Sequence, residues 1–284
     1  MGTTLVVSPH LDDAVLSIGG SIASWIAAGE RVVVATVYTT GPPLDRVAPA
    51  MRKFADYEAR RAEDAAASAV LGVETRWLGQ IERAFRPPYL TGWSFFTTPP
   101  DRSGFTTLPA VTAALAPLAT LAPDRILIPL GIGNHVDHVE TLIAATDWTL
   151  VHGLFDRARF YEDFYALSGT MRRRHPVAKQ HGWRRWRSPL LKARRLAAIL
   201  RTIALARRGP ELESFLAPAL QHASWAHTRS PVTTEAEARQ LAAIECYGSQ
   251  TAAFGGFSGI ARATRAYHRR WDRAEPLWHA TLGA

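Results

Sequence analysis

The chain has 284 residues, enough for one large core, and 47% of them are hydrophobic, so disorder is not expected. Its single cysteine, Cys246, excludes an intrachain disulfide and a zinc site built on thiolates. The net charge of +8 is local: residues 171–208 hold 11 Arg and 2 Lys and no acidic residue, while elsewhere 20 basic residues face 25 acidic ones, which argues against a nucleic-acid-binding face.

The first residues lack a basic stretch followed by a long apolar one, and no apolar run approaches the ~20 residues that span a bilayer. The chain therefore reads as cytoplasmic. In chain order, Leu5–Val7 is expected as a strand, Val15–Ala28 as a helix whose Gly19 and Gly20 allow close packing on a sheet, and Arg31–Val37 as a second strand. Arg52–Leu71 is expected as one long amphipathic helix closed by Gly72, followed by a short strand over Thr75–Leu78 with Trp77 in the core. Residues 80–107, rich in proline and aromatics, read as a loop able to wall a pocket, with Trp93, Phe95 and Phe96 as stacking platforms. Leu108–Leu121 is helical with Pro117 placed to interrupt it, and Arg125–Pro129 is a strand. From about Asp156 the pattern loosens: 171–189 reads as irregular, and 189–208 and 235–247 as helical. Alternating strands and helices imply parallel pairing with right-handed crossovers. The expectation is an α/β, Rossmann-like three-layer sandwich with a mostly parallel sheet and a variable C-terminal part. It forms one domain over 1–284, carrying a basic, helical insertion at about 171–215.

Two strings carry the chemistry, SPHLDDAVLS at 8–17 and HVDH at 135–138, each just after an expected strand. Open α/β sheets bind ligands beyond the carboxyl ends of their strands, where strand order reverses, so both strings are expected at one crevice. His10 and Asp13 are three residues apart, as are His135 and His138. With His10, Asp13 and His138 as ligands, a divalent metal keeps an open position for water, whose pKa falls to roughly 7. Asp12 is then the candidate general base, and His135 the group that stabilises an oxyanion, best as imidazolium. Asp137 is placed to accept a hydrogen bond from a ring nitrogen of His135 or His138.

These strings resemble the PIG-L (LmbE-like) family of zinc-dependent N-deacetylases, which act on N-acetylglucosamine in glycolipids, thiol glycosides and glycosylated antibiotics. The family's (P/A)HPDD stands here as PHLDD, with Leu11 for the usual proline, and its HxDH as HVDH. RRAEDAAASAVLGV at 60–73, WLGQIERAFR at 77–86, YED at 161–163 and YGSQ at 247–250 extend the similarity. The resemblance implies zinc, attack of hydroxide on an acetamide carbonyl, proton delivery to nitrogen by Asp12, and sugar contacts from Arg60 and Glu82. A surface ion pair with Asp56, Glu58, Glu63 or Asp64 is the plainer reading of Arg60.

Arg187, Arg194, Arg201 and Arg208 recur every seven residues, with Leu196, Ile199, Leu200 and Ile203 on the other side. This basic amphipathic helix packs on the core or touches an anionic membrane or acidic partner through 187–208. Two rival functions remain. A non-haem Fe(II) oxygenase could use His10, Asp12 and His138, although such sites usually occupy β-sandwiches. A basic binding module on a degenerate deacetylase fold would not require the intact five-residue set.

Overall fold

The computed structural model describes residues 2–87, 94–181, 189–206, 215 and 217–283. Seven strands form one sheet: β1 (Thr3–Ser8), β2 (Arg31–Thr40), β3 (Glu74–Ile81), β4 (Arg125–Pro129), β5 (Ala158–Tyr161), β6 (Ser224–Pro231) and β7 (Ala274–Thr281), in the order β3-β2-β1-β4-β5-β7-β6. The first five pair in parallel, and β7 runs antiparallel to both β5 and β6. Helices Asp13–Ala27, Tyr57–Leu71 and Thr234–Glu245 pack together, as do Leu108–Leu115 and Val136–Val151. Right-handed crossovers that run outward from β1 to β3 and then return through β4 to β5 place these two groups on opposite faces. The expected mixed α/β sandwich is the fold observed. Order reverses between β1 and β4, so both strands open their carboxyl ends onto one crevice.

The core is continuous. Leu5, Val6 and Val7 of β1, Val33 and Ala35 of β2 and Ile126, Leu127 and Ile128 of β4 are fully buried. Helix Arg194–Ala206 joins the same core through Leu196, Leu200 and Ile203, while Arg194 and Arg201 stay exposed. Core packing is thus the observed role of its apolar side. Arg187 and Arg208 lie outside the described residues.

Several local expectations are corrected. The run Arg52–Leu71 is two helices, Arg52–Ala55 and Tyr57–Leu71, because Asp56 leaves the helical region and its carboxylate caps the Ala59 amide at 3.0 Å. Trp77 is not core: on edge strand β3 it is 41% exposed, and its indole N–H donates to Asp64 at 2.7 Å. Gly19 and Gly20 make room for a helix and a loop as well as for the sheet: a Cβ there would strike Gln240 at 2.6 Å and Val232 at 2.8 Å, and one on Gly20 would also meet Glu275 of β7 at 3.1 Å. Residues 171–189 contain a turn of helix, Gly169–Arg174, and a 3-10 turn, Ala178–Gln180. Pro117 does end its helix, with a 3-10 segment over Ala116–Leu121.

Helix Asp13–Ala27 is broken at Ile18 (φ −135°, ψ 22°). The amides of Gly20 and Ser21 there donate to Glu275 of β7 at 3.3 and 2.7 Å.

Candidate active site

β1 ends at Ser8, whose hydroxyl shapes the next turn: it donates to the His10 carbonyl at 2.7 Å and accepts from the Ala14 amide at 3.1 Å. Asp12 occupies the N-cap position of the following helix, yet its carboxylate caps nothing. After β4 the chain turns through Gly131 and Gly133, at φ 74° and 94°, conformations that suit glycine. It enters helix Val136–Val151 with His135 as N-cap. The two strings meet: ring centroids of His10 lie 5.0 Å from His135 and 5.2 Å from His138, and all five residues His10, Asp12, Asp13, His135 and His138 are buried.

Asp13 Oδ2 lies 2.9 Å from His10 Nδ1 and 3.0 Å from His138 Nε2. The outer nitrogen of each ring has its own carboxylate: His138 Nδ1 donates to Asp163 at 2.6 Å, and His10 Nε2 to Asp137 at 3.2 Å. With protons at those outer positions, neutral rings would turn the lone pairs of His10 Nδ1 and His138 Nε2 toward Asp13. His138 Nε2 is buried without a hydrogen-bond partner. Two imidazole lone pairs and a carboxylate oxygen converging, each imidazole backed by a carboxylate, form a donor set that fits a divalent cation.

The charges agree. Burial opposes ionising His138, but Asp13 and Asp163 hold its pKa up to about 9, so the pocket around it favours positive charge. Burial likewise opposes charge on Asp13, but His138 and His10 hold its carboxyl well below the usual range. Burial and the neighbouring Asp13 charge push Asp12 up to about 7, against the pull of Arg60 and His10. Burial and the charge of His10 depress His135 to about 3. That direction runs against the imidazolium expectation. Its Nδ1 accepts the Asp137 amide at 3.3 Å, so its proton sits on Nε2.

The Asp137 carboxylate stands 3.9 Å from His135 Nδ1, and its short contacts lie elsewhere. Lying in the first helical turn beside the β1 loop, it accepts instead from His10, from the Arg83 amide at 2.9 Å and from Arg86 at 2.8 Å. The partner of His138 is Asp163, in the YED string. Arg60 and Glu82 meet as a buried pair at 2.9 Å, with the Tyr57 hydroxyl also on Glu82 at 2.5 Å. Arg60 is 3% exposed, so the surface reading of it fails. Glu82 belongs to a second convergent group with His10, His135 and Asp137. Leu11, where the family has proline, fills a small apolar cluster with Val47, Ala55, Tyr57 and Phe85. Phe96 is buried and meets His135 edge-on at 5.1 Å, so it walls the site instead of offering an open face. Trp93 and the Phe95 side chain lie outside the described residues. The YGSQ string docks on helix Tyr57–Leu71, with the Tyr247 hydroxyl on Asp64 at 2.8 Å and Ser249 on Glu63.

A family model described as GlcNAc-PI de-N-acetylase, PIG-L, matches residues 5–149, which spans β1 to helix Val136–Val151 and includes both strings. The chain belongs to the PIG-L family. PIG-L proteins are metal-dependent N-deacetylases, and the chain is accordingly an amide hydrolase. No curated protein matches it. Among solved structures it is similar to the A40926 pseudoaglycone deacetylase Dbv21, at 21% identity and TM-score 0.67, with 99% of this chain and 98% of that one covered. It is similar to a deacetylase of teicoplanin biosynthesis at 21% identity and TM-score 0.69, over 99% and 98% of the two chains. The N,N'-diacetylchitobiose deacetylase of Pyrococcus horikoshii follows at 16% identity and TM-score 0.51, over 99% and 84%. At these identities the likeness shows the shared PIG-L fold. That fold and family set aside the oxygenase, whose usual scaffold is all-β. No described helix is long and apolar enough to cross a membrane.

Proposed function

We propose that the chain is a zinc-dependent deacetylase that removes acetyl from an N-acetylated amino sugar, GlcNAc-type, within a glycoside of antibiotic or cell-surface sugar biosynthesis. The observation that carries this reading is the convergence of His10 Nδ1, Asp13 Oδ2 and His138 Nε2, with Asp12 unused beside them. The solved neighbours are deacetylases, one of them described in complex with teicoplanin, which supports a glycoside substrate. His10, Asp13 and His138 would hold the metal. When bound, zinc supplies Lewis acidity and a water whose pKa is about 7. Asp12 takes a proton from the water that attacks the amide carbon. It passes that proton to the nitrogen as the C–N bond breaks, releasing acetate and the amine. His135, neutral, donates its Nε2–H to the tetrahedral oxyanion. Asp137 orients His10, and Arg60 and Glu82 present charged groups to sugar hydroxyls. Asp163 fixes the tautomer of His138.

The deciding experiment is an acetate-release screen over GlcNAc glycosides with varied aglycones, lipid-linked and peptide-linked ones included, run with and without chelator. Release is expected from at least one glycoside, abolished by chelation and restored best by zinc. Metal-replete protein that releases acetate from none of them overturns the reading. Asp163→Asn is expected to weaken metal affinity by roughly 10–100-fold, measured by competition with a chromogenic chelator. Unchanged affinity would remove Asp163 from that role.

A further inference from the structure

Away from the active site, a cleft of about 360 Å³ is lined by Arg194, Arg195, Arg262 and Ser258, with Gly255 and Gly259 on its walls. It lies where the start of helix Arg194–Ala206 approaches the start of helix Phe257–Arg270. The approach depends on glycine: a Cβ on Gly255, at φ +85°, would sit 2.7 Å from the Arg195 Cβ. Gly256 is the N-cap of the second helix and has no side chain to satisfy its first amides. The three guanidinium side chains belong to exposed residues, and among the described residues none is paired with a carboxylate. Arginines nearby are paired, Arg172 with Glu162 at 2.8 Å and Arg265 with Glu237 at 3.9 Å. Three like charges gathered in a concave site repel one another until an anion joins them. Two helix starts add to the positive potential.

Elements that form the cleft also pack toward the active site. Phe254, just before Gly255, packs on Phe164 at 5.3 Å, next in sequence to Asp163. Helix Arg194–Ala206 contacts the turn Ser94–Phe96, whose Phe96 ring abuts His135.

We propose that this cleft binds a phosphate group, as a monoester or a diphosphate. Three forked donors and a hydroxyl match the several oxygens and the double charge of phosphate better than the two oxygens of a carboxylate. The site does not depend on the acetyl-sugar reading, because its test is binding and not turnover.

The test is calorimetric titration of inorganic pyrophosphate at low ionic strength into the wild-type protein and two triple variants. Saturable one-site binding is expected for the wild type. Arg194→Gln/Arg195→Gln/Arg262→Gln should weaken it by at least about tenfold. Arg201→Gln/Arg239→Gln/Arg269→Gln removes the same charge outside the cleft from exposed positions and should change it by less than about twofold. No saturable binding to the wild type, or an equal loss in both variants, overturns the proposal. Co-sedimentation with phosphatidylcholine vesicles containing or lacking phosphatidic acid identifies the carrier. Retention on phosphatidic acid that pyrophosphate displaces supports a phospholipid headgroup, and pyrophosphate binding without retention supports a soluble phosphate.

Discussion

Asp12→Asn protein is expected to carry as much metal as the wild type while kcat for acetate release falls by on the order of 10²–10⁴-fold. The substitution keeps the shape of the side chain and removes only its capacity to take and return a proton. Asp12 lies outside the convergent set His10, Asp13 and His138, so metal content should not change. Its carboxylate does not cap the helix it begins, so fold stability should not fall either. Burial disfavours its charged form, whereas Arg60 and His10 favour it, and these opposing influences suit a group that alternates between base and acid. Metal analysis and acetate release on one preparation provide the check. Activity within tenfold of wild type at full metal occupancy would assign the proton transfer to another group.

The second large effect is on stability. Arg172→Met is expected to cost about 3–5 kcal/mol in urea unfolding, because it strands Glu162 in the interior. The Glu162 carboxylate is fully buried, and it accepts from Arg172 at 2.8 and 2.9 Å, the Tyr267 hydroxyl at 2.8 Å and the Trp278 indole at 3.2 Å. One carboxylate thereby joins the end of β5, helix Gly169–Arg174, helix Phe257–Arg270 and β7. Converting both partners, Glu162→Gln with Arg172→Met, should recover much of the loss, since the unpaired charge is gone. A double variant as unstable as the single one would locate the cost in packing instead. Asp163 follows Glu162 directly, so the single variant should also bind metal more weakly.

The convergence of the His10 and His138 strings was legible because their signals are local. Each string follows an apolar strand, and the reversal of strand order brings strand ends together whatever the loops between them. Asp163 was legible only as part of the YED resemblance, with nothing to tie it to His138. It sits 25 residues beyond its partner His138, in a segment without periodicity, and only three-dimensional packing brings them together. The edge position of β6 explains why SWAHTRSP gave no strand pattern: it is mostly exposed and polar. In β7, Pro276 gives up a ladder donor on a strand with two neighbours. The sheet accommodates it because β5 pairs only at Leu277 and Trp278, past the proline. Leucines at helical spacing in 194–206 revealed a buried face, whereas the break at Asp56 depended on whether one side chain caps or continues a helix.

The interrupted helix after β1 ties its own seating to the antiparallel edge of the sheet. The acceptor for the amides of Gly20 and Ser21 lies some 250 positions further along the chain, in the antiparallel strand. Without Glu275, two interior N–H groups just behind the His10–Asp13 turn have no acceptor, a penalty of roughly 1–3 kcal/mol apiece. A change at Glu275 on β7 should therefore loosen the helix that follows Asp12, far along the chain from the substitution.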